Sequence, residues 1–313
     1  MKRTYIIGAI IISMLSSFSL KSYAGGCWAT YIPRGAGQLS GLENISCDKL
    51  FNISLGFKYS DISAGWQEKD SITHPTGATQ TTIYSPVILD VMLNELFALT
   101  LTIPYYNFYQ VQPDTAFGKV IRSNGGIGDI TLLLMYKLFA NPSLFVGAGL
   151  KMPTGSYKIK GEPIINGQES YYPTNMQLGT GTWDPSIGIF FSQELNPFCL
   201  FGNLSYRFTG NYSDLGNKIG NELLFNVGTS YLLSQYFSPL LIFNTFYTSV
   251  DDGPNTNSAN TGVFYIYLSP GIAYNPAPEI SFQLMYEFPL YRHVNRIQVT
   301  PKYNINFLVS YNF

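Results

Sequence analysis

Charge is scarce in this chain, with Asp, Glu, Lys and Arg together making up 12% of it. A typical soluble domain carries about twice that share. Histidine is scarcer still, at two residues, and cysteine stops at three. Two remote histidines with no dense carboxylate cluster exclude the usual zinc or di-metal arrangements. A formal net charge of −1 excludes the basic patch that a nucleic-acid partner demands. Beyond the first two dozen residues, no apolar run approaches the ~18 residues that mark a membrane helix. What the chain has in excess is aromatic side chains, 24 Tyr and 22 Phe. So aromatic and weakly charged a sequence suits a membrane, yet it is too interrupted for membrane helices. A transmembrane β-barrel removes the conflict, because only alternate residues face lipid and aromatic girdles sit at both interfaces.

The N-terminus is compatible with export. Lys2 and Arg3 precede an apolar run from Tyr5 to about Leu20, followed by Ser22-Tyr23-Ala24. This is the charged, apolar and small-residue order of a secretory signal peptide, with cleavage expected after Ala24. A membrane anchor would need about 20 apolar residues, and this run is shorter and broken by serines. In an oxidising compartment Cys27 and Cys47 could form a disulfide, leaving Cys199 alone on a strand. Two unpaired thiols, or lipid attachment at Cys27, are the alternatives. The expected organisation is a signal peptide over 1–24, a periplasmic or plug segment over 25–49, and a transmembrane barrel over 50–313.

About twelve segments with period-two alternation follow, the first over Leu50–Ser60, the fourth over Gly125–Leu138 and the last over Lys302–Phe313. Odd-numbered connections read as long and polar, among them Asp61–Thr81, Thr154–Thr182 and Asp251–Thr261. Even-numbered ones read as tight, such as Glu95-Leu96 and Gln235-Tyr236. Long external loops alternating with short periplasmic turns are the habit of outer-membrane barrels. The expected fold is therefore all-β: one antiparallel transmembrane barrel of about 12 strands with a short N-terminal periplasmic extension.

Alternation also sorts the faces. Phe51, Ile53, Leu55, Phe57 and Tyr59 oppose Asn52, Ser54, Gly56, Lys58 and Ser60, and the last strand separates as sharply. A charge facing lipid at midplane costs about 2–4 kcal/mol. The interior is thus the expected place for Lys58, Asp90, Asp129, Lys137, Lys151, Asp184, Arg207, Glu222, Glu287 and Lys302, five acids and five bases. Mixed signs permit pairing and a polar lining for water. The segments Phe237–Thr248 and Phe264–Asn275 are apolar on both faces and settle nothing alone. Phe313, the terminal aromatic of an alternating strand, reads as the signal by which the barrel-assembly machinery recognises its clients.

Catalysis finds no support. His74 precedes Pro75-Thr76 and His293 precedes Val294-Asn295, so neither histidine has a serine two residues on. Asp251-Asp252 before Gly253-Pro254 reads as a solvated turn. The glycine-rich pieces do not lead into helices, so phosphate-cradling loops are unsupported. No cofactor is expected.

Three motifs together resemble a known group: Gly125–Ile130 (GGIGDI), Lys151–Gly155 (KMPTG) and Leu178–Gly188 (LGTGTWDPSIG). Their arrangement resembles the outer-membrane barrel family named for the meta-pathway of phenol degradation. The resemblance runs from about Leu50 to Phe313 and implies a twelve-strand barrel that takes up small apolar or aromatic compounds. It carries no substrate residues across. The expectation is an outer-membrane channel for small solutes by passive or weakly selective diffusion, with membrane lipid, assembly machinery and solute as partners. The alternative is a closed structural or surface-interaction barrel whose loops bind a partner.

Overall fold

The computed structural model describes residues 51–73, 77–113, 119–161, 171–254, 256 and 258–313. The expected signal peptide (1–24), the segment 25–49, Cys27, Cys47 and His74 lie outside them. The strands are β1 (Phe51–Gln67), β2 (Asp70–Ile72), β3 (Thr79–Met92), β4 (Phe97–Gln112), β5 (Val120–Ile127), β6 (Thr131–Phe139) and β7 (Ser143–Lys151). They continue as β8 (Asp184–Leu195), β9 (Phe198–Arg207), β10 (Glu222–Tyr231), β11 (Phe237–Thr248), β12 (Val263–Ala277), β13 (Ile280–Val294) and β14 (Ile297–Asn312). Neighbours pair antiparallel along the chain, and β14 returns to β1, from Asn52↔Asn312 to Gln67↔Ile297, closing the sheet on itself. Closure matters physically, because an open edge in lipid would leave backbone N–H and C=O groups without partners.

Twelve wall positions result. The short β2 only extends the β1–β3 hairpin, and β5 and β6 share one position, both pairing with β4. The fourth segment, expected to be continuous over Gly125–Leu138, is therefore broken at Gly128–Ile130. A second correction concerns the eleventh connection, expected to be long. There β13 and β14 run on to a tight turn at Asn295-Arg296, with Arg296 at φ 57°. Both strands are longer than their hydrophobic alternation, because their ends stand beyond the apolar band. The first connection likewise turns partly into strand, through the extension of β1 to Gln67 and through β2.

The alternation holds around the wall. Leu55, Ile187, Ile189, Leu204, Val227, Leu241, Phe243 and Leu284 are exposed on the outer face, while Ser54, Ser186, Ser205, Asn226, Asn244 and Gln283 are buried on the inner one. Outward aromatics pair near the short-turn end, Phe97 with Tyr136, Phe198 with Tyr231 and Phe237 with Tyr274, at centroid distances of 5.1, 5.1 and 4.8 Å. These aromatic rings form the girdle expected at a membrane interface. The seam at β1/β14 joins them: Phe313 N–H donates to Phe51 O at 2.8 Å, and its ring lies 5.3 Å from Phe51 and 4.6 Å from Tyr311. Phe237–Thr248 and Phe264–Asn275, ambiguous by pattern, place one apolar row outward and the other inward, where Leu240, Ile242, Tyr265 and Tyr267 are buried.

Two outcomes check this wall. Leu204→Arg, on the outer face of β9, should destabilise the folded barrel by about 2–4 kcal/mol in denaturant titrations in lipid vesicles. Phe313→Ala should remove a ring pairing worth about 0.5–1.5 kcal/mol, and should lower the heat-modifiable, folded population recovered from outer membranes.

Candidate functional site: the charged interior

Eight of the ten charges expected inside are buried there: Lys58, Asp90, Asp129, Lys151, Asp184, Arg207, Glu222 and Glu287. Lys137 is half-buried, its ammonium 5.5 Å from the centre of the Phe145 ring. Lys302 departs from expectation. It is exposed and skipped by the β1–β14 pairing, between Asp61↔Tyr303 and Ile62↔Pro301. An extra residue in a bulge loses its place in the alternation, and period-two counting does not see that.

The buried charges form two groups. The first is built where the three glycine-bearing motifs meet. Lys151, at the end of β7, sits between Asp129 (2.9 Å) and Asp184 (2.6 Å). Asp129 occupies the break between β5 and β6, and its carboxylate takes more than the ammonium. Its Oδ1 accepts from Gly155 N–H at 3.0 Å, and its Oδ2 accepts from Thr180 N–H at 2.8 Å and from the Thr180 hydroxyl at 3.1 Å. Lys151 also donates to the Thr180 hydroxyl, while Thr182 donates to Asp184 Oδ1 at 2.9 Å. Thr154 bridges the break from the other side, accepting from Ile130 N–H at 2.9 Å and donating to Gly128 O at 3.0 Å.

Glycine is required here by crowding. A Cβ on Gly155 would lie 2.8 Å from Leu178 O and 2.9 Å from the Gly128 backbone, and one on Gly179 would lie 2.4 Å from Gly155 O. The backbones thus approach closely enough for one carboxylate to bond two chain segments. The motifs, read from sequence as strand openings and bends, are the parts of one anchor.

That anchor turns the connection between β7 and β8 inward. Met176, Gln177 and Leu178 are buried, and Met176 and Leu178 pack on Phe108, with Tyr106, Ile159 and Tyr172 alongside. Gln177 clips the two arms of the connection together, accepting from Ile159 N–H at 3.0 Å and donating to Ile159 O and Tyr172 O at 3.1 and 2.9 Å. Sequence reasoning missed Thr180, Thr182, Met176, Gln177 and Leu178. The available signal was that each glycine motif also carries a residue able to bond a charge: Asp129, Lys151, Thr180 and Asp184. Beyond Asp184 the group continues across β9 and β10 as the Arg207–Glu222 ion pair.

The second group lies on the seam. Glu287 receives the Lys58 ammonium at 3.3 and 3.4 Å and the amide donors of Asn304 and Asn306 at 2.8 and 3.1 Å. Nearer the short-turn end, Asn52 donates to Asn312 at 2.7 Å and Ser54 faces Ser310 at 2.7 Å. Between these polar strips lie apolar patches. One comprises Met92, Ala98, Leu133, Met135, Phe145 and Phe190, another Phe201, Leu240, Ile242, Ala273 and Met285 with Cys199. Cys199 is disulfide-bonded, so it is not the solitary thiol expected from the spacing.

Outside the wall, the arm after β7 is tied to the loop after β9. Asp214 accepts from the Lys158 ammonium and from the Tyr157 hydroxyl, each at 2.6 Å. The Lys158 bond, with Tyr157 second, pulls the Asp214 carboxyl down to about 2, and the Asp214 bond, with Tyr157 second, raises Lys158. A carboxyl lowered in the folded state stabilises above its ordinary value and loses that contribution as pH falls through the folded one. This tie should therefore hold at neutral pH and give way only as the medium is acidified from about 4 towards about 2. Asp251, which accepts from Gly220 N–H at 2.8 Å, is instead pushed up by burial. Among the described residues no cluster of three or more His, Cys, Asp or Glu is arranged to hold a metal ion.

The barrel has solved counterparts. An outer-membrane channel from Pseudomonas putida F1 superposes with a TM-score of 0.63 at 11% identity, over 90% of this chain and all of that one. The β domain of a Bordetella autotransporter, BrkA, gives 0.49 at 12% identity over 85% of this chain and all of that one. A FadL homologue of Pseudomonas aeruginosa gives 0.47 at 10% identity over 85% and 91%. The first of these shows the fold to be that of an outer-membrane barrel. Residues 73–288 match the family described as the MetA-pathway of phenol degradation. That match spans more than half of the sequence and contains all three glycine motifs, and the chain belongs to this family.

Proposed function

We propose that this barrel is a narrow outer-membrane channel through which small solutes diffuse with weak selectivity. In this reading the chain is exported with cleavage after Ala24, is folded into the outer-membrane lipid by the barrel-assembly machinery, and takes a small-molecule solute as its partner. Small apolar and aromatic compounds are the class that family membership suggests.

The observation that carries the reading is the inner face itself. Its polar atoms are buried, yet several have no protein partner: Asn226 Oδ1, Asn244 Oδ1, Asn304 Oδ1, Asn306 Oδ1, Arg207 Nε and Glu222 Oε2. In a packed strut each such atom would cost about 1–3 kcal/mol. Water or solute admitted to the interior would supply the missing partners. Ionisable side chains inside a membrane domain mark solute and ion pathways by the same reasoning.

One observation favours the second reading, a closed barrel whose outer loops bind a partner. The inward connection buries Met176 and Leu178 against Phe108, an apolar contact that narrows the long-loop end. Current through a planar bilayer separates the two. The channel reading expects small, reproducible conductance steps from the purified protein. Arg207→Glu places a third acid beside Glu222 and Asp184, so it should shift ion preference towards cations. It should also cost about 3–5 kcal/mol by breaking a buried pair. The exchange Arg207→Glu with Glu222→Arg should restore most of that stability. Absence of any conductance, in wild type and variants alike, would remove the channel reading and leave the surface-interaction one.

A further inference from the structure

Cys199 stands near the start of β9, two residues past the turn at Asn196-Pro197, and it is disulfide-bonded. Its neighbour Leu200 points outward at 40% exposed. Cys199 itself points inward, 7% exposed, in one patch with Phe201, Leu240, Ile242, Ala273 and Met285. A bond between two copies of the chain needs an outward sulfur, so the partner belongs to the same chain. The sequence offers two other cysteines, Cys27 and Cys47, and both precede β1.

Distance chooses between them. In the ring of twelve wall positions, β9 lies six from β1 in either direction. Strands about 4.8 Å apart, tilted by about 40°, close such a ring at about 24 Å across. Disulfide-linked Cα atoms lie at most about 6.8 Å apart, so the partner of Cys199 must stand about 17 Å from Phe51 at the start of β1. Cys47 is four residues from Phe51 and reaches about 14 Å when fully extended. Cys27 is 24 residues away and reaches about 80 Å.

Chemistry agrees with distance. Cys47 is followed by Asp48-Lys49, two charges that an apolar patch would leave without partners. Cys27 is followed by Trp28, with Tyr31 and Ile32 close behind, side chains that the same patch accepts. The apolar patch on β3 to β8 forms a separate cluster, so it is not what keeps the β9 patch dry.

We propose that Cys27 is the partner of Cys199, and that this disulfide latches the N-terminal segment to the wall opposite the seam. The segment then crosses the lumen, joined to β1 at one end and to β9 at the other. This pairing replaces the Cys27–Cys47 bond weighed from the sequence, and leaves Cys47 as the free thiol. It also excludes lipid attachment at Cys27, because one sulfur carries one substituent. Each thiol gives up its proton and one electron as the S–S bond forms. The two electrons pass to a protein disulfide of the oxidising compartment, which becomes a dithiol. The latch rests on export, proposed above, and not on conduction.

Peptide mapping tests it on wild-type protein. The barrel is extracted from outer membranes in N-ethylmaleimide, denatured without reductant and digested with trypsin. Cleavage after Arg34 and Lys49 places Cys27 and Cys47 on separate peptides. The expected products are a Cys27 peptide bonded to the Cys199 peptide, and a Cys47 peptide carrying maleimide. A Cys47–Cys199 or Cys27–Cys47 product, three maleimide-labelled cysteines, or a lipid on Cys27 would each overturn the proposal. Serine variants give a second reading. Maleimide labels per denatured, unreduced chain should rise from one in wild type to two in Cys27→Ser and fall to none in Cys47→Ser. The reverse order would assign the bond to Cys47 and refute the latch. On boiled gels without reductant, the closed loop from 27 to 199 should make wild type and Cys47→Ser migrate faster than Cys27→Ser and Cys199→Ser. Equal mobility of all four would count against it.

Discussion

The long-loop half of the barrel depends on one ammonium held between two carboxylates, Lys151 between Asp129 and Asp184. A wall one residue thick, with lipid on its outer side, leaves charge nowhere to go but inward. Once inward, a charge must find partners within reach. Here the partners of Lys151 come from three places in the sequence: the break between β5 and β6, the start of β8, and the connection that precedes β8. The same carboxylate that neutralises Lys151 accepts the backbone N–H groups of Gly155 and Thr180. Electrostatic pairing and loop placement are therefore one event. Removing the charge at Asp129 would leave an ammonium underpaired and two chain segments unanchored together.

Much of this was legible in the sequence, and the reason is the period of two. Because a strand alternates strictly, eight of ten interior charges could be placed from their neighbours alone. The seam strands β1 and β14, polar on one face and aromatic on the other, were the plainest. What the alternation could not show is wherever the count slips. Lys302 sits at a bulge, the fourth segment breaks at Gly128–Ile130, and β13 and β14 run on past their apolar stretch to Asn295-Arg296. Nor does a pattern of faces show which distant residues meet. That Asp129 reaches Thr180, and that Asp90 keeps a carboxylate oxygen unpaired, are facts of register and curvature that no local window contains.

The interior that results is uneven by construction. Along the seam, Asn52, Ser54, Lys58, Glu287, Asn304 and Asn306 make a polar strip, interrupted by the Gly56↔Leu308 pair. The Glu287 carboxylate draws in the amide donors of both asparagines, so their carbonyl oxygens turn elsewhere and stay unpaired. On β3 to β8, and again on β9 to β13, part of the inner face is an apolar patch rich in methionine, leucine and phenylalanine. A uniformly polar lumen would pass water-soluble solutes, and a uniformly apolar one would exclude water. The inward connection, with Met176 over Phe108, adds apolar surface at the long-loop end.

The central claim, that Asp129 holds the inward connection in place, is tested most directly by hydrogen exchange. Wild type and Asp129→Asn would be compared in lipid vesicles, following peptides that cover 154–161 and 171–182 against those of β9 to β11. The account predicts faster exchange at Gly155 and Thr180 and through 171–182 in the variant, with the distant strands unchanged. Unaltered protection at Gly155 and Thr180 would contradict it, because those N–H groups donate to the carboxylate that the substitution neutralises.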